Sequence, residues 1–193
     1  MVKNVVKHTV LVMRHKWYVF IFCCKIGIPF RGFMHDWSKF SPTEFLESIK
    51  YYKGTYSPIT ECKKQNGYSK AWLHHKGRNR HHPEYWYDEA ATNKTPMIPY
   101  KYVAEMICDK LSASKIYNGK NWTLKSEAEY WAKEKYNTKL NQNVSEMLTE
   151  VFDQVAENGI NATLKRKNIK ALYKKHCEGS KWELDIRSGL DQN

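Results

Sequence analysis

Six apolar residues, Val144, Met147, Leu148, Val151, Phe152 and Val155, recur at helical spacing, and Gly159 follows them. That pattern puts all six on one face of a helix that a glycine then stops. The same period predicts helices throughout the chain. Residues 5–26 read as a first helix, with Gly27 as its stop and Pro29 beyond it. A short helix from about Phe30 is expected to carry His35 and Asp36. Ser41-Pro42-Thr43-Glu44 reads as a helix start, with Ser41 as N-cap, Pro42 first and Glu44 third. Residues 53–68 read as a loop, Ser69–Lys76 as a helical piece, Arg78–Pro83 as irregular and Glu84–Ala91 as helical. Pro99 opens a helix to about Ile116, with Val103, Met106, Ile107 and Leu111 on one side. Ser126–Tyr136 is a charged, aromatic helix, and Leu164, Ile169, Leu172 and Tyr173 mark another. The last dozen residues read as frayed. No stretch alternates with period two over a useful length, so the fold class is all-α.

The run Trp17–Cys24 is apolar nearly all round, but Lys25 ends it after eight residues. A bilayer span needs roughly 20, so the run predicts a buried helix and no membrane partner. Arg14, His15 and Lys16 precede it without a small-residue cleavage site after it, which argues against a signal peptide. The five Cys are odd in number and form no Cys-x-x-Cys pair, which excludes a disulfide framework and favours a cytoplasmic location. With 193 residues the chain suits one domain with a substantial core. A formal net charge of +12, spread along the chain, suits an anionic partner such as a nucleotide or a nucleic acid.

Chemistry concentrates in three places. His35-Asp36 offers an imidazole and a carboxylate from one turn of backbone, able together to hold a divalent metal. Lys39 lies one helical turn on, and a cation beside a metal is what phosphate-ester chemistry needs. Seven of the eight His fall within the first 82 residues. Four of them, His74, His75, His81 and His82, bracket a basic turn that leaves Arg78 and Arg80 free to meet an anion. Pro83 holds His82 extended. Which of these four turn inward is open. Glu105 and Asp109 share one helix face, and by periodicity alone they are the polar side of an amphipathic helix. His15 lies nearer the level of His35 across an antiparallel turn than His8 does, so His15 is preferred as a ligand. His8 reads as a surface or capping residue, kept as a supporting candidate. His176 reads as a contact to a helix end.

The order His…His-Asp…His…His…Asp resembles the HD-domain metal-dependent phosphohydrolase superfamily. The local motifs look closer still to an uncharacterised family of small bacterial and phage proteins, the DUF5662 type. Its His-Asp-x-Ser-Lys-Phe, His-His-x-x-x-Asn-x-His-His-x-Glu and Glu-Met-x-x-Asp stand here as residues 35–40, 74–84 and 105–109. The resemblance covers about residues 8–118. It implies an HD-like helical bundle over residues 1–118, with residues 119–193 as a C-terminal helical extension packed on the same domain. It makes His15, His35, Asp36 and Asp109 ligands of one metal, and gives His75, His81 or His82 to a second. It implies that Lys39 touches phosphate.

The expected function is therefore a metal-dependent phosphohydrolase or phosphodiesterase acting on a nucleotide, cyclic nucleotide or other small phosphate ester. One or two ions of Mn, Fe, Co, Ni or Zn fit the N/O donors. Asp36 bridges the ions, Lys39, Arg78 and Arg80 hold phosphate, and Glu84 or Glu105 takes a proton or orients a His. The alternative is a non-catalytic HD-like module that binds an anionic ligand or nucleic acid. The helices after Gly119 show no chemistry and are open to three roles: covering the core, forming a homo-oligomer face or closing over substrate. An ion shared by His35, Asp36 and Asp109 requires their donor atoms within about 3–4 Å of one another. Helix 99–116 must then turn its Glu105/Asp109 edge inward.

Overall fold

The computed structural model describes residues 2–54 and 56–178. The last dozen residues, expected to fray, lie outside that range. The described residues form helices and turns with no strand. The helices are α1 (Val2–Lys25), α2 (Pro29–Met34), α3 (Pro42–Lys50), α4 (Pro58–Asn66), α5 (Lys70–Arg78), α6 (Pro83–Trp86), α7 (Tyr100–Asn118), α8 (Ser126–Glu134), α9 (Gln142–Asn158), α10 (Ile160–Thr163) and α11 (Arg166–His176). A 3-10 turn, Trp37–Phe40, links α2 to α3.

α7 is the axis of the bundle. Val103, Ala104, Ile107, Cys108 and Leu111 are fully buried, and α1, α8, α9 and α11 pack around it. The apolar face of α9 docks on it as the periodicity requires. The core runs without a break from Val19 of α1 and Ile26 just after it to Trp131 of α8 and Leu172 of α11, across the 118/119 division. α1 buries one stripe, His8, Val12, His15, Val19 and Phe22, which Ile26 continues just past its end. His15 thus stands where a core helix would ordinarily carry an apolar side chain.

Several expectations change. The Trp17–Cys24 run is buried on one side only, and Trp17 is 61 % exposed. Its outward residues join Phe33 and Trp37 in an apolar surface groove. Residues 53–68 are not all loop, because Pro58 starts α4 at its first position and Gly67 closes it with φ 79°. α4 buries little besides Cys62, so its sequence carries no strong apolar period. The helix expected over Glu84–Ala91 stops at Trp86. Beyond it the Asp88 carboxylate accepts from Ala90 N in a local turn, competing with helix. Tyr100–Asn118 and Ser126–Glu134 lie within a residue or two of their expected bounds.

Candidate metal centre

His35 and Asp36 are not inside α2, as expected, but in the break after it. Neighbours on a continuous helix point about 100° apart. Asp36 adopts φ 54°, the only positive φ of a non-glycine among the described residues. Asp tolerates this left-handed geometry better than most residues, and such strain gathers at functional sites. The turn aims both side chains inward, each about 1 % exposed. His15 arrives from α1, His75 from α5 and Asp109 from α7. His81 and His82 come from the α5–α6 connection, where Pro83 keeps His82 extended at ψ 130°.

Among the described residues three donor groups result: His35, His81 and Glu105 form one, and the other two have four residues each. One is His15, His35, Asp36 and Asp109; the other is Asp36, His75, His81 and His82. Asp36 belongs to both. Its Oδ2 lies 3.3 Å from His35 Nε2, and its Oδ1 lies 3.4 and 3.5 Å from the Nε2 atoms of His75 and His81. Asp109 Oδ1 is 3.0 Å from His15 Nε2 and 3.4 Å from His35 Nε2. The Nε2 atoms of His75 and His82 stand 2.9 Å apart, and those of His15 and His35 3.3 Å apart. Ligands bound at ~2.0–2.1 Å around one ion are separated by about 2.9–3.4 Å, so these spacings fit a coordination shell. Asp36 Oδ1 and His81 Nε2 are also buried without a hydrogen-bond partner. Orphans of this kind are rare, and a shared cation would satisfy both at once.

A surrounding layer fixes the rings. Glu105 Oε1 lies 3.0 Å from His35 Nδ1 and 3.3 Å from His81 Nδ1, leaving both Nε2 atoms for the centre. Glu105 is itself gripped by Arg31, whose Nε donates over 2.7 Å. On the other side Glu44 holds His75 Nδ1 and His74 Nδ1, both at 2.7 Å. His74 therefore faces Glu44, not the centre, and Arg78 Nε donates to its far nitrogen over 2.7 Å. Ser38 and Asn79 brace the same corner through a 2.8 Å hydrogen bond.

The electrostatics demand positive charge. Burial works against ionising Asp36 and Asp109, yet the surrounding His, and Lys39 at Asp36, hold both carboxyls well below the usual range. Burial likewise opposes a charge on His35, but Asp36, Asp109 and Glu105 push its pKa well above the ordinary value. A divalent ion meets the same demand with the ring neutral. Burial keeps His15 and His82 in the neutral form that binds metal. The Nζ of Lys39 sits 2.7 Å from Asp36 Oδ2 and keeps its proton more firmly than usual, the carboxylates outweighing burial.

One face of the centre opens into a cleft of about 450 Å³ bordered by His81, His82 and Asp109. Glu84 lines it, with its Oε2 buried and unpartnered. Arg78 and Arg80 are not brought to this cleft. They line a separate one of about 260 Å³ with Arg31, where Arg80 donates to the Tyr102 hydroxyl over 3.1 Å. His8 is buried, not superficial, and packs on Phe45 and Tyr52 with no partner for its Nδ1. Burial, with Lys39 nearby, lowers its pKa to about 4. His176 pairs with Glu150 at 2.7 Å.

Sequence reasoning missed three residues. Glu44 looked like part of a capping box. Ser41 Oγ does accept from Glu44 N at 3.4 Å, but the Glu44 carboxylate turns to the histidines. Arg31 carried no signal. Glu127 lies in α8, where no chemistry was expected, yet α8 forms a wall of the cleft.

A family model described as a family of unknown function (DUF5662) matches residues 4–154. The chain belongs to this family. The match continues through α8 and most of α9, well past the residue 118 to which the motifs alone reached. No curated protein and no solved structure matches the chain.

Proposed function

We propose that this DUF5662 chain is a metal-dependent phosphohydrolase or phosphodiesterase acting on a nucleotide, a cyclic nucleotide or another small phosphate ester. The observation that carries the reading is the pair of donor groups joined through Asp36, three of whose members, His81, His82 and Asp109, line an open cleft. The ordered His15, His35-Asp36, His75–His82 and Asp109 add the likeness to HD-domain phosphohydrolases. When bound, one or two ions of Mn, Fe, Co, Ni or Zn supply a Lewis acid for the phosphoryl oxygen and acidify bound water. Asp36 presents one oxygen to each donor group and so fixes their spacing. Lys39 holds its ammonium beside Asp36, and we assign it the phosphoryl charge that develops at the ions. Glu84, unpartnered in the cleft wall, is assigned the proton exchange with water or the leaving oxygen. Glu105 is occupied by His35, His81 and Arg31, so its role is to orient rings, not to take a proton.

The test is metal analysis of protein purified without added metal, followed by a screen of nucleotides and cyclic nucleotides. The expected result is bound metal and phosphate release that Asp36→Ala abolishes. Asp109→Asn and His82→Ala should each weaken one donor group and spare the other. Protein with no metal above trace and no release in Mn, Zn or Fe sinks the reading. A second reading, a module that holds an anion or nucleic acid without turnover, is favoured by the cleft of Arg31, Arg78 and Arg80. A binder keeps its affinity in Asp36→Ala, loses it in Arg78→Ala and shows a steep salt dependence for nucleic acid.

A further inference from the structure

The cleft has a further wall, which phosphate chemistry does not use. It is built where α8 meets α7. Glu127 is 3 % exposed and Ser114 7 % exposed, yet apart from each other Glu127 Oε1 and Ser114 Oγ have no hydrogen-bond partner. Both residues line the cleft, together with Asp109, His82 and Tyr130. Buried polar atoms without full partners are uncommon in folded proteins, and a pair on one cavity wall that meets only itself points to a ligand that completes it. The remaining wall is largely apolar, with Met106, Ala113, Tyr117 and Tyr130. Flat aromatic and apolar surface with a few fixed polar groups suits a planar ring better than a polyol.

We infer that Glu127 and Ser114 recognise the organic half of the substrate, a planar ring that presents a hydrogen-bond donor and an acceptor side by side, the edge a nucleobase carries. The phosphate half of this arrangement rests on the phosphohydrolase reading; the ring half does not. Burial holds the Glu127 carboxyl up to about 8; Asp109 adds to the rise, while Lys110 and Ser114 work against it. At neutral pH the group therefore keeps its proton and offers both an O–H donor and a carbonyl acceptor. Such a pair matches an amide-like or amidine-like ring edge, whereas a carboxylate could only accept.

The experiment measures binding of adenosine, guanosine, cytidine and uridine, none carrying phosphate, to the metal-loaded protein by calorimetry. At least one should bind. Glu127→Gln, whose amide keeps both a donor and an acceptor, should stay within about threefold of wild type, and Glu127→Ala and Ser114→Ala should each weaken binding by about tenfold or more. If Glu127→Ala does not fold, Ser114→Ala, a much smaller change, decides. The inference is overturned if no nucleoside binds, or if the alanine variants bind as wild type does. Hydrolysis of p-nitrophenyl phosphate by the same sample separates the two readings. Hydrolysis without nucleoside binding removes the ring site and keeps the enzyme; nucleoside binding without hydrolysis of any ester does the reverse.

Discussion

Glu44 shows how one side chain can carry two meanings. In the sequence it is the third residue of a helix that starts with Ser-Pro, a position where Glu needs no further explanation. In the fold it is 3 % exposed and bonded to His75 and His74. Its pKa lies below the ordinary value, because those histidines overcome the effect of burial. Glu44→Ala should weaken the ion held by the His75 group about 10–100-fold and spare the His15 group, as a chelator competition titration would show. Glu127 makes the opposite case, a carboxyl that burial keeps protonated. Folded, it releases its proton at about pH 8; unfolded, near 4.5. The folded chain thus binds the extra proton between those values, and stability falls as pH rises through that window, with the full penalty above pH 8. Glu127→Gln should raise the melting temperature, little at pH 4.5 and most at pH 8.5, for a gain on the order of a few kcal/mol. The ligand residues were legible because His and Asp are the residue types metals select. The surroundings of Glu44 and Glu127 were not, since a lone carboxylate in sequence does not say what the fold sets beside it.

α2 is only six residues long, yet it aims the pair that follows it. It can do so because it lies against α1 at Gly32. A Cβ there would stand 2.6 Å from Cys23 Cβ and 2.9 Å from the Phe20 backbone, neither of which can swing away. Gly32→Ala should therefore push α2 outward and carry His35 and Asp36 with it. The expected cost is about 1–3 kcal/mol of stability together with a loss of bound metal, read by thermal melts and metal analysis of the same preparation. A metal content equal to wild type would show that the turn at Asp36 is positioned by something other than this contact. α7 explains why periodicity alone gave the wrong weight to Glu105 and Asp109. An amphipathic pattern marks a helix with one wet side, but α7 is enclosed by α1, α8, α9 and α11. Its polar edge is therefore an interior edge, filled by histidines. α4 was illegible for the converse reason: it buries so little that only Pro58 and Gly67 mark its ends.

Across the whole molecule, the two donor groups that share Asp36 draw on α1, the turn after α2, α5, the connection to α6, and α7. The all-α class was open to sequence reasoning because apolar period alone decides it. The meeting of these segments was not, because no local pattern records which helices face one another. That meeting has a thermodynamic consequence. The unfolded chain cannot gather ligands from positions as distant as His15 and Asp109, so nearly all the affinity for an ion belongs to the folded state. An ion present at 100 times its dissociation constant then stabilises the fold by about 2.7 kcal/mol. For a chain of this size, each kcal/mol moves the melting temperature by roughly 2–4 °C. Calorimetry with saturating Mn or Zn should therefore show melting roughly 5–10 °C above that in excess chelator for one ion, and more for two. Asp36→Ala should lose most of that difference, because Asp36 is the residue the two groups share. Equal melting temperatures with metal and with chelator would mean that His15, His35, His75, His81 and His82 gather around carboxylates for some purpose other than holding an ion.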